Sequence, residues 1–151
     1  MLLITTCRKP CKNTRLFARN LSNLVPGAEY VPRGKKNIYS LIEEARKKGL
    51  RRVAIISDLK GNPGKVEFIK LDKREWDWAE TIFRIKSVNY QKSKRKINAI
   101  KVDGTLKKTV VDLFDIEESQ EPDIVLIADD GLMRFGDQMN IKLEIYKNSE
   151  E

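Results

Sequence analysis

The first 60 residues alternate short apolar runs with stretches in which apolar side chains recur every three or four positions. Residues 2–6 and 52–57 are continuous apolar runs, which are typical of strands buried within an α/β sheet. Residues 13–24 and 38–48 show the helical spacing, and a shorter run lies at 28–31. This pattern predicts the order strand, helix, strand, helix, strand.

Turn and cap residues agree with the predicted ends of the two helices. Pro26-Gly27 follows the first helical stretch, and Gly49 follows the second. Asn37 precedes the second helical stretch, where its side-chain oxygen can accept a bond from a free backbone N–H. We therefore expect two short helices, the second capped by Asn37.

Antiparallel strands are expected next. A Gly-Asn-Pro-Gly turn precedes residues 65–71, which predict a strand with Val66 and Phe68 pointing inward. Residues 81–88 predict another strand. The order up to this point becomes β-α-β-α-β-β-β.

The segment that follows residue 96 allows two interpretations. Residues 97–102 predict a strand, and 105–114 predict a helix capped by Thr105. The alternative is a hairpin that turns at Asp103-Gly104. We leave both open.

The last third repeats features of the first. Residues 123–128 predict a strand buried on both faces, and residues 132–135 and 141–146 predict a hairpin. No tandem repeat is visible residue by residue. The coarse order of strand, helix, strand and hairpin nevertheless occurs twice.

Length indicates one domain, and charge divides it into two unlike halves. The chain has 151 residues, about the size of one domain. Residues 1–101 carry 25 basic and 9 acidic side chains, while 102–151 carry 5 and 13. We expect one domain over residues 1–151, with a basic N-terminal half of about 1–90 and an acidic C-terminal half of about 91–151.

This charge distribution indicates a polyanionic partner for the first two thirds of the chain, and the formal net charge is +8. The alternative is a thermophilic surface rich in Lys and Glu, but that would interleave the two signs. The acidic last third would repel a polyanion and could instead face a basic protein.

No apolar run approaches the roughly 20 residues that a membrane helix needs. The first six residues lack the basic start and long apolar stretch of a signal peptide. We expect a cytoplasmic protein without a membrane partner.

Several kinds of catalysis are excluded because the chain has no histidine. Ser-His-Asp and Cys-His catalysis and histidine-ligated zinc all need that residue. Cys7 and Cys11 supply only half of a zinc site, so we interpret them as ordinary thiols; a strained disulfide or a reactive thiol is the alternative. We expect no metal and no cofactor.

One enzymatic alternative uses carboxylates. Asp58 and Asp129-Asp130 follow predicted strands and could hold Mg²⁺ for cleavage of RNA. Each position is equally a turn, so we expect a protein that is not an enzyme. A nucleoside-triphosphate site is not indicated, since the glycine-rich turn lacks the spacing of a phosphate-binding loop.

Two stretches resemble a known family. Residues 3–10 read Leu-Ile-Thr-Thr-Cys-Arg-Lys-Pro, and residues 30–36 read Tyr-Val-Pro-Arg-Gly-Lys-Lys. Together with Gly-Asn-Pro at 61–63, they resemble the Brix domain, a family of ribosome-biogenesis factors, over about residues 2–70. Cysteines stand where serines are expected, and the family's Gly-Pro-Ser/Thr signature is replaced by residues 76–80, Trp-Asp-Trp-Ala-Glu.

The resemblance implies a fold, a function and partners. The fold would be two related α/β halves, each resembling the anticodon-binding domain of class II aminoacyl-tRNA synthetases, in the short archaeal form of a bare domain. The function would be binding of pre-ribosomal RNA to assist rRNA processing or subunit assembly, without catalysis. Ribosomal proteins or other assembly factors are further partners, and an adaptor that holds basic ribosomal proteins through the acidic last third is the alternative function.

The basic residues near the two matching stretches are the candidates for RNA contacts. Both loops follow predicted strand ends, so they can share one edge of the sheet, and the second loop ends at a helix N-terminus. Tyr30, Tyr39, Trp76 and Trp78 could stack on bases, although we favour packing for the tryptophans. The candidate RNA-binding residues are Arg8, Lys9, Lys12, Arg15, Arg19, Arg33, Lys35, Lys36, Lys92, Lys94, Arg95 and Lys96.

Overall fold

A computed structural model describes residues 1–92 and 95–148. The helices are α1 (Lys12–Leu24), α2 (Ile38–Lys47) and α3 (Lys107–Phe114). The strands are β1 (Leu2–Thr6), β2 (Glu29–Tyr30), β3 (Arg52–Leu59), β4 (Asn62–Leu71), β5 (Trp76–Trp78), β6 (Thr81–Tyr90), β7 (Ile100–Asp103), β8 (Ile124–Asp129), β9 (Leu132–Phe135) and β10 (Met139–Lys147).

All of these strands belong to a single mixed sheet. Its order is β2-β1-β3-β4-β6-β10-β9-β8-β7, and β5 pairs with β4 beside this path. The β2, β1 and β3 strands are parallel to one another, as are β7 and β8, and the other pairs are antiparallel. The fold is therefore mixed α/β, as expected.

The sheet curls around one large core. Leu2 of β1 and Leu126 of β8 belong to the same buried cluster, although their strands lie far apart in the sheet order. Phe114 of α3 packs 5.4 Å from Phe68 and 6.2 Å from Phe83, ring centroid to ring centroid. Because α3 reaches strands of the first half, both halves share this core.

A second, smaller core lies on the opposite face of the sheet. It contains Leu41 and Ala45 of α2, with Leu3 of β1 and Val53 of β3 beneath them. Neighbouring residues of one strand, such as Leu2 and Leu3, thus belong to different cores. This is why the apolar runs of β1 and β3 are continuous rather than alternating.

The two halves repeat the same strand pairing. In each, a parallel pair is followed by two antiparallel partners: β1, β3, β4 and β6 in the first half, and β7, β8, β9 and β10 in the second. The long antiparallel pair of β6 and β10 joins them. The strand, helix, strand and hairpin order therefore does occur twice.

Three expectations about elements need correction. The hairpin at Asp103-Gly104 does not form, since α3 follows β7 and makes a parallel crossover to β8. Thr105 does not cap α3, because its hydroxyl accepts a bond from the N–H of Asp130 at 3.3 Å. The β8 strand is buried on one face only, since Val125 is 37% exposed.

Candidate RNA-binding surface

The two loops that carry the family-like motifs lie at one edge of the sheet. Because β1 and β2 are parallel, the loops that follow them, residues 7–11 and 31–37, begin at the same edge. Arg8 from the first loop and Arg33 from the second line one cleft. The expected convergence of these two loops is observed.

Arg33 has a different role from the solvent-facing contact expected of it. Its side chain is 8% exposed, and its guanidinium donates to the carbonyls of Lys36 at 2.7 Å and of Thr6 at 3.0 Å. Burial lowers the pKa of Arg33, and the nearby charge of Arg8 lowers it further. Arg33 therefore ties the second loop to the end of β1.

Thr5 makes a second tie that the sequence did not reveal. Its buried hydroxyl donates to the carbonyl of Val31 at 2.6 Å, and the N–H of Val31 donates to the carbonyl of Ile4 at 2.9 Å. A threonine in an apolar run is a weak signal, but a buried hydroxyl requires a partner. The second loop is thus held by buried hydrogen bonds before it turns outward.

Three of the remaining cations of these loops face solvent. Arg8, Lys9 and Lys35 are exposed, and none of them forms an ion pair with an acidic residue in the part of the chain described. Lys36 is half-buried, and its amine donates to the carbonyl of Pro32 at 2.9 Å. Three cations without acidic partners therefore remain at this edge.

The first helix extends the basic surface. Lys12, Arg15 and Arg19 are exposed, whereas Phe17 and Leu21 are buried in the large core. The guanidinium of Arg19 lies 5.3 Å from the centroid of the Tyr30 ring. Neither Arg15 nor Arg19 lines the cleft of Arg8 and Arg33; both lie on α1, which directly follows the first loop.

Asp58 positions the start of α1. Its carboxylate accepts from the N–H of Cys11 at 3.0 Å and from the Cys11 thiol at 3.3 Å, and both cysteines are free thiols. Burial alone would raise the pKa of Asp58, but hydrogen bonds from Thr14 and Cys11 outweigh it and lower that pKa. Asp58 therefore caps α1 from the neighbouring strand, since Cys11 makes no side-chain cap.

The basic residues near the boundary between the halves differ in their contacts. Lys92 and Arg95 are exposed, and Lys94 lies outside the described residues. Lys96 is exposed as well, but its Nζ donates to the carbonyls of Ser22 and Ala28, each at 2.8 Å. Burial of this amine lowers the pKa of Lys96, and the two bonds fasten the connection between the halves.

The structure separates the carboxylates proposed for Mg²⁺. Asp58 caps α1, while Asp129 accepts from the N–H of Thr105 at 2.9 Å in the other half. Within the described ranges, no group of three or more acidic, cysteine or histidine side chains could hold a metal ion. No helix among those residues is long and apolar enough to cross a membrane.

Three acidic residues of the second half, Asp115, Glu117 and Glu118, lie at the opposite edge of the sheet, beside Met1 and Gly49. Part of this group is used internally: Glu118 accepts from the N–H of Val102 at 2.9 Å, and its other oxygen lies 3.4 Å from the amine of Lys107. Asp115 pairs with the N-terminal amine. We call the edge of the two loops the basic edge and this one the acidic edge; Arg51 also lines the cleft of the acidic edge.

Curated relatives carry one common description. A probable Brix domain-containing ribosomal biogenesis protein of Thermococcus kodakarensis is 44% identical to the chain over 78 residues, which are 52% of this chain and 38% of the relative. A protein of Pyrococcus abyssi with the same description is 37% identical over 111 residues, covering 72% of this chain and 49% of the relative. The resemblance to the Brix domain family is confirmed.

These relatives are named as ribosomal biogenesis proteins, and their names indicate no enzyme family. The matched segments span less than half of the length of these Brix proteins. No protein-family model matches the chain.

Solved structures share the fold over nearly the whole chain. A probable ribosomal biogenesis protein from Aeropyrum pernix K1 superposes with a TM-score of 0.81 at 20% identity, covering 95% of this chain and 94% of that one. Mil, an archaeal Imp4-like protein, gives a TM-score of 0.72 at 23% identity, covering 97% and 99%. These likenesses establish the fold.

Proposed function

We propose that the chain assists rRNA processing or ribosomal subunit assembly in the cytoplasm by binding pre-ribosomal RNA through the basic edge, without catalysis. The observation that carries this proposal is the set of exposed cations at one sheet edge and along α1. It consists of Arg8, Lys9, Lys12, Arg15, Arg19 and Lys35. Lys36, Lys92 and Arg95 remain further candidates in this proposal, and Lys94 remains one from sequence alone.

The arrangement suits a phosphate backbone. Phosphates are recognised by cations that the protein holds in place and by backbone N–H groups. Gly34 has a φ of +54°, and this turn leads into the N-terminus of α2, where Asn37 accepts from the N–H of Ser40 at 2.9 Å. The positive end of the helix dipole adds to the charge of the loop.

The domain organisation belongs to the same proposal. One domain over residues 1–151 is supported by the core that both halves share. The repeated strand pairing supports two related halves. A relation of each half to anticodon-binding domains remains an inference from the family resemblance.

Salt dependence tests the electrostatic mechanism. If the surface contacts about five to eight phosphates of single-stranded RNA, log K should fall with log salt at a slope of roughly −3.5 to −5.5. Fluorescence anisotropy with a labelled pre-ribosomal RNA fragment measures this slope. Replacing both Arg8 and Arg15 by alanine should make the slope shallower by roughly 1.4, because two phosphate contacts are lost.

Lys142→Ala is the matched control, because Lys142 is an exposed lysine on β10, outside the basic surface. It should leave both affinity and slope unchanged. A slope near zero for the unaltered chain, or an equal loss in the control, would contradict the proposal.

A second candidate function uses the acidic edge to hold basic ribosomal proteins. It is favoured by Glu117 and Glu118, which line an open cleft of about 750 Å³ at that edge. Immobilised protein should then retain purified basic ribosomal proteins after ribonuclease treatment, and Glu117→Gln should weaken this retention. Loss of all retention on ribonuclease treatment would contradict the adaptor function.

A further inference from the structure

The cleft shared by Arg8 and Arg33 also contains a tryptophan. It is an open depression of about 480 Å³ on the face of the sheet that carries the smaller core, between the start of α2 and β5. Ile55 and Ser57 of β3 belong to its lining, and Trp78 of β5 forms part of its wall. Cationic and aromatic groups thus meet in one concave site.

Trp78 is held in place by its neighbours but is not fully covered. It lies opposite Ile69 in the β4 and β5 ladder and packs against the smaller core. Its ring centroid is 6.4 Å from that of Trp76, and the ring planes meet at 75°, so the two rings are not stacked face to face. Trp78 is half-buried, which leaves part of the indole open to the cleft.

The charges around the indole favour an anionic ligand that carries a flat ring. Arg8 lines the cleft and Lys9 follows it, and both are exposed. The carboxylate in the lining, Glu67, lies 3.4 Å from the amine of Lys65, which offsets its charge. An uncharged aromatic ligand would leave these cations unused, whereas a nucleotide offers a phosphate and a base together.

We propose that this cleft binds an unpaired nucleotide of single-stranded RNA, with its base stacked on Trp78 and its phosphate at Arg8. The inference rests on the proposed RNA binding and specifies which form of RNA is bound. Stacking on an aromatic side chain does not depend on the base, so the site selects single strands rather than a sequence. A paired base in an RNA duplex cannot reach the indole.

The experiment compares two leucine variants of the full chain. Trp76→Leu leaves Trp78 as the only tryptophan, since the chain has two. Trp78→Leu removes the proposed stacking surface, and Trp76→Leu is its matched control because Trp76 lies on the same strand but does not line the cleft. The probes are a 12-nucleotide oligouridylate and an RNA duplex of about the same length.

Four results are expected. Oligouridylate should quench the fluorescence of Trp76→Leu in proportion to binding. Trp78→Leu should weaken oligouridylate binding by roughly 5- to 150-fold, the range for loss of one stacked base. The salt slope of Trp78→Leu should stay unchanged because no cation has been removed, and the duplex should bind more weakly than the single strand.

The outcomes separate this inference from the proposed function. Tight, salt-dependent RNA binding without quenching, and without loss in Trp78→Leu, overturns the base-stacking site and leaves RNA binding intact. Equal binding of duplex and single strand by the unaltered chain also overturns it. Failure to bind either probe overturns both proposals. If Trp78→Leu does not fold, the quenching of Trp76→Leu decides the question.

Discussion

At the residue scale, two of the candidate RNA-binding cations also make hydrogen bonds within the protein. Arg33 and Lys96 each donate to two backbone carbonyls. Those of Arg33 belong to Thr6 and Lys36, and those of Lys96 belong to Ser22 and Ala28. Carbonyl oxygens at loop ends need donors, and a long cationic side chain can supply one from a distance. A basic motif in the sequence therefore contains both cations that face solvent and cations that bond to the backbone.

Arg33→Ala should destabilise the protein by about 2–3 kcal/mol, because two carbonyls lose a charged donor. Urea denaturation followed by circular dichroism measures this change. Lys35→Ala in the same loop should change stability by less than about 0.5 kcal/mol, since its side chain is exposed. Equal midpoints for the two variants would contradict the structural role of Arg33.

At the element scale, the helix starts are stabilised in different ways. Asn37 caps α2 from its own sequence position, so this cap was predicted correctly. The α1 helix receives its cap from Asp58, a residue of β3 that lies 47 positions from Cys11 in the chain. A cap supplied by another element leaves no local signal, which is why Asp58 was grouped with carboxylates that could bind a metal.

Asp58→Ala should destabilise the protein by about 1 kcal/mol, as expected for loss of a helix cap. Because the folded-state pKa of Asp58 lies below its ordinary value of 3.8, the charged form contributes stability above that pH. This contribution is lost as pH falls below 3.8 through the folded-state pKa. Thermal unfolding measured from about pH 2 to about pH 7, a range that spans the titration of Asp58, tests this loss of stability.

Asp58→Asn is the informative comparison, because the amide oxygen can still accept from Cys11 but does not titrate. It should retain most of the stability at neutral pH and lose part of the acid sensitivity. A pH profile for Asp58→Asn identical to that of the unaltered chain would contradict the assignment.

At the scale of the whole molecule, Asp112 of α3 joins the two halves. Its carboxylate lies 3.0 Å from the guanidinium of Arg52 and 2.6 Å from the amine of Lys70, both in the first half. The hydrogen bond from Lys70 is the largest cause that lowers the pKa of Asp112; burial opposes it, and Arg52 adds to the lowering. Arg52 is 8% exposed, and the carboxylate of Asp112 is the acidic partner of its guanidinium.

Asp112→Ala should lower stability by about 1.5–3 kcal/mol, because Arg52 is left without its anionic partner. Lys70→Met should cost no more than about 1 kcal/mol, since that amine is exposed and its pair is a surface ion pair. Differential scanning calorimetry compares the two. A larger effect for Lys70→Met than for Asp112→Ala would contradict the role of Arg52 as the buried partner.

The local elements follow directly from the sequence. Continuous apolar runs identified β1 and β3, and helical spacing identified α1 and α2, because burial on two faces or on one stripe leaves different patterns. The charge asymmetry and the two family-like motifs indicated a polyanion and a ribosome-biogenesis family. The elements and motifs depend on neighbours within a few residues and the charge asymmetry on composition, so all of them can be read without knowing the fold.

Contacts between distant segments were decided by the tertiary structure alone. The pairing of β6 with β10 and the cap from Asp58 both depend on segments that meet only after folding. The same is true of Arg33, whose burial follows from the position of its loop against β1. Long-range contacts leave little local pattern, because the partner of a polar side chain can lie anywhere in the chain.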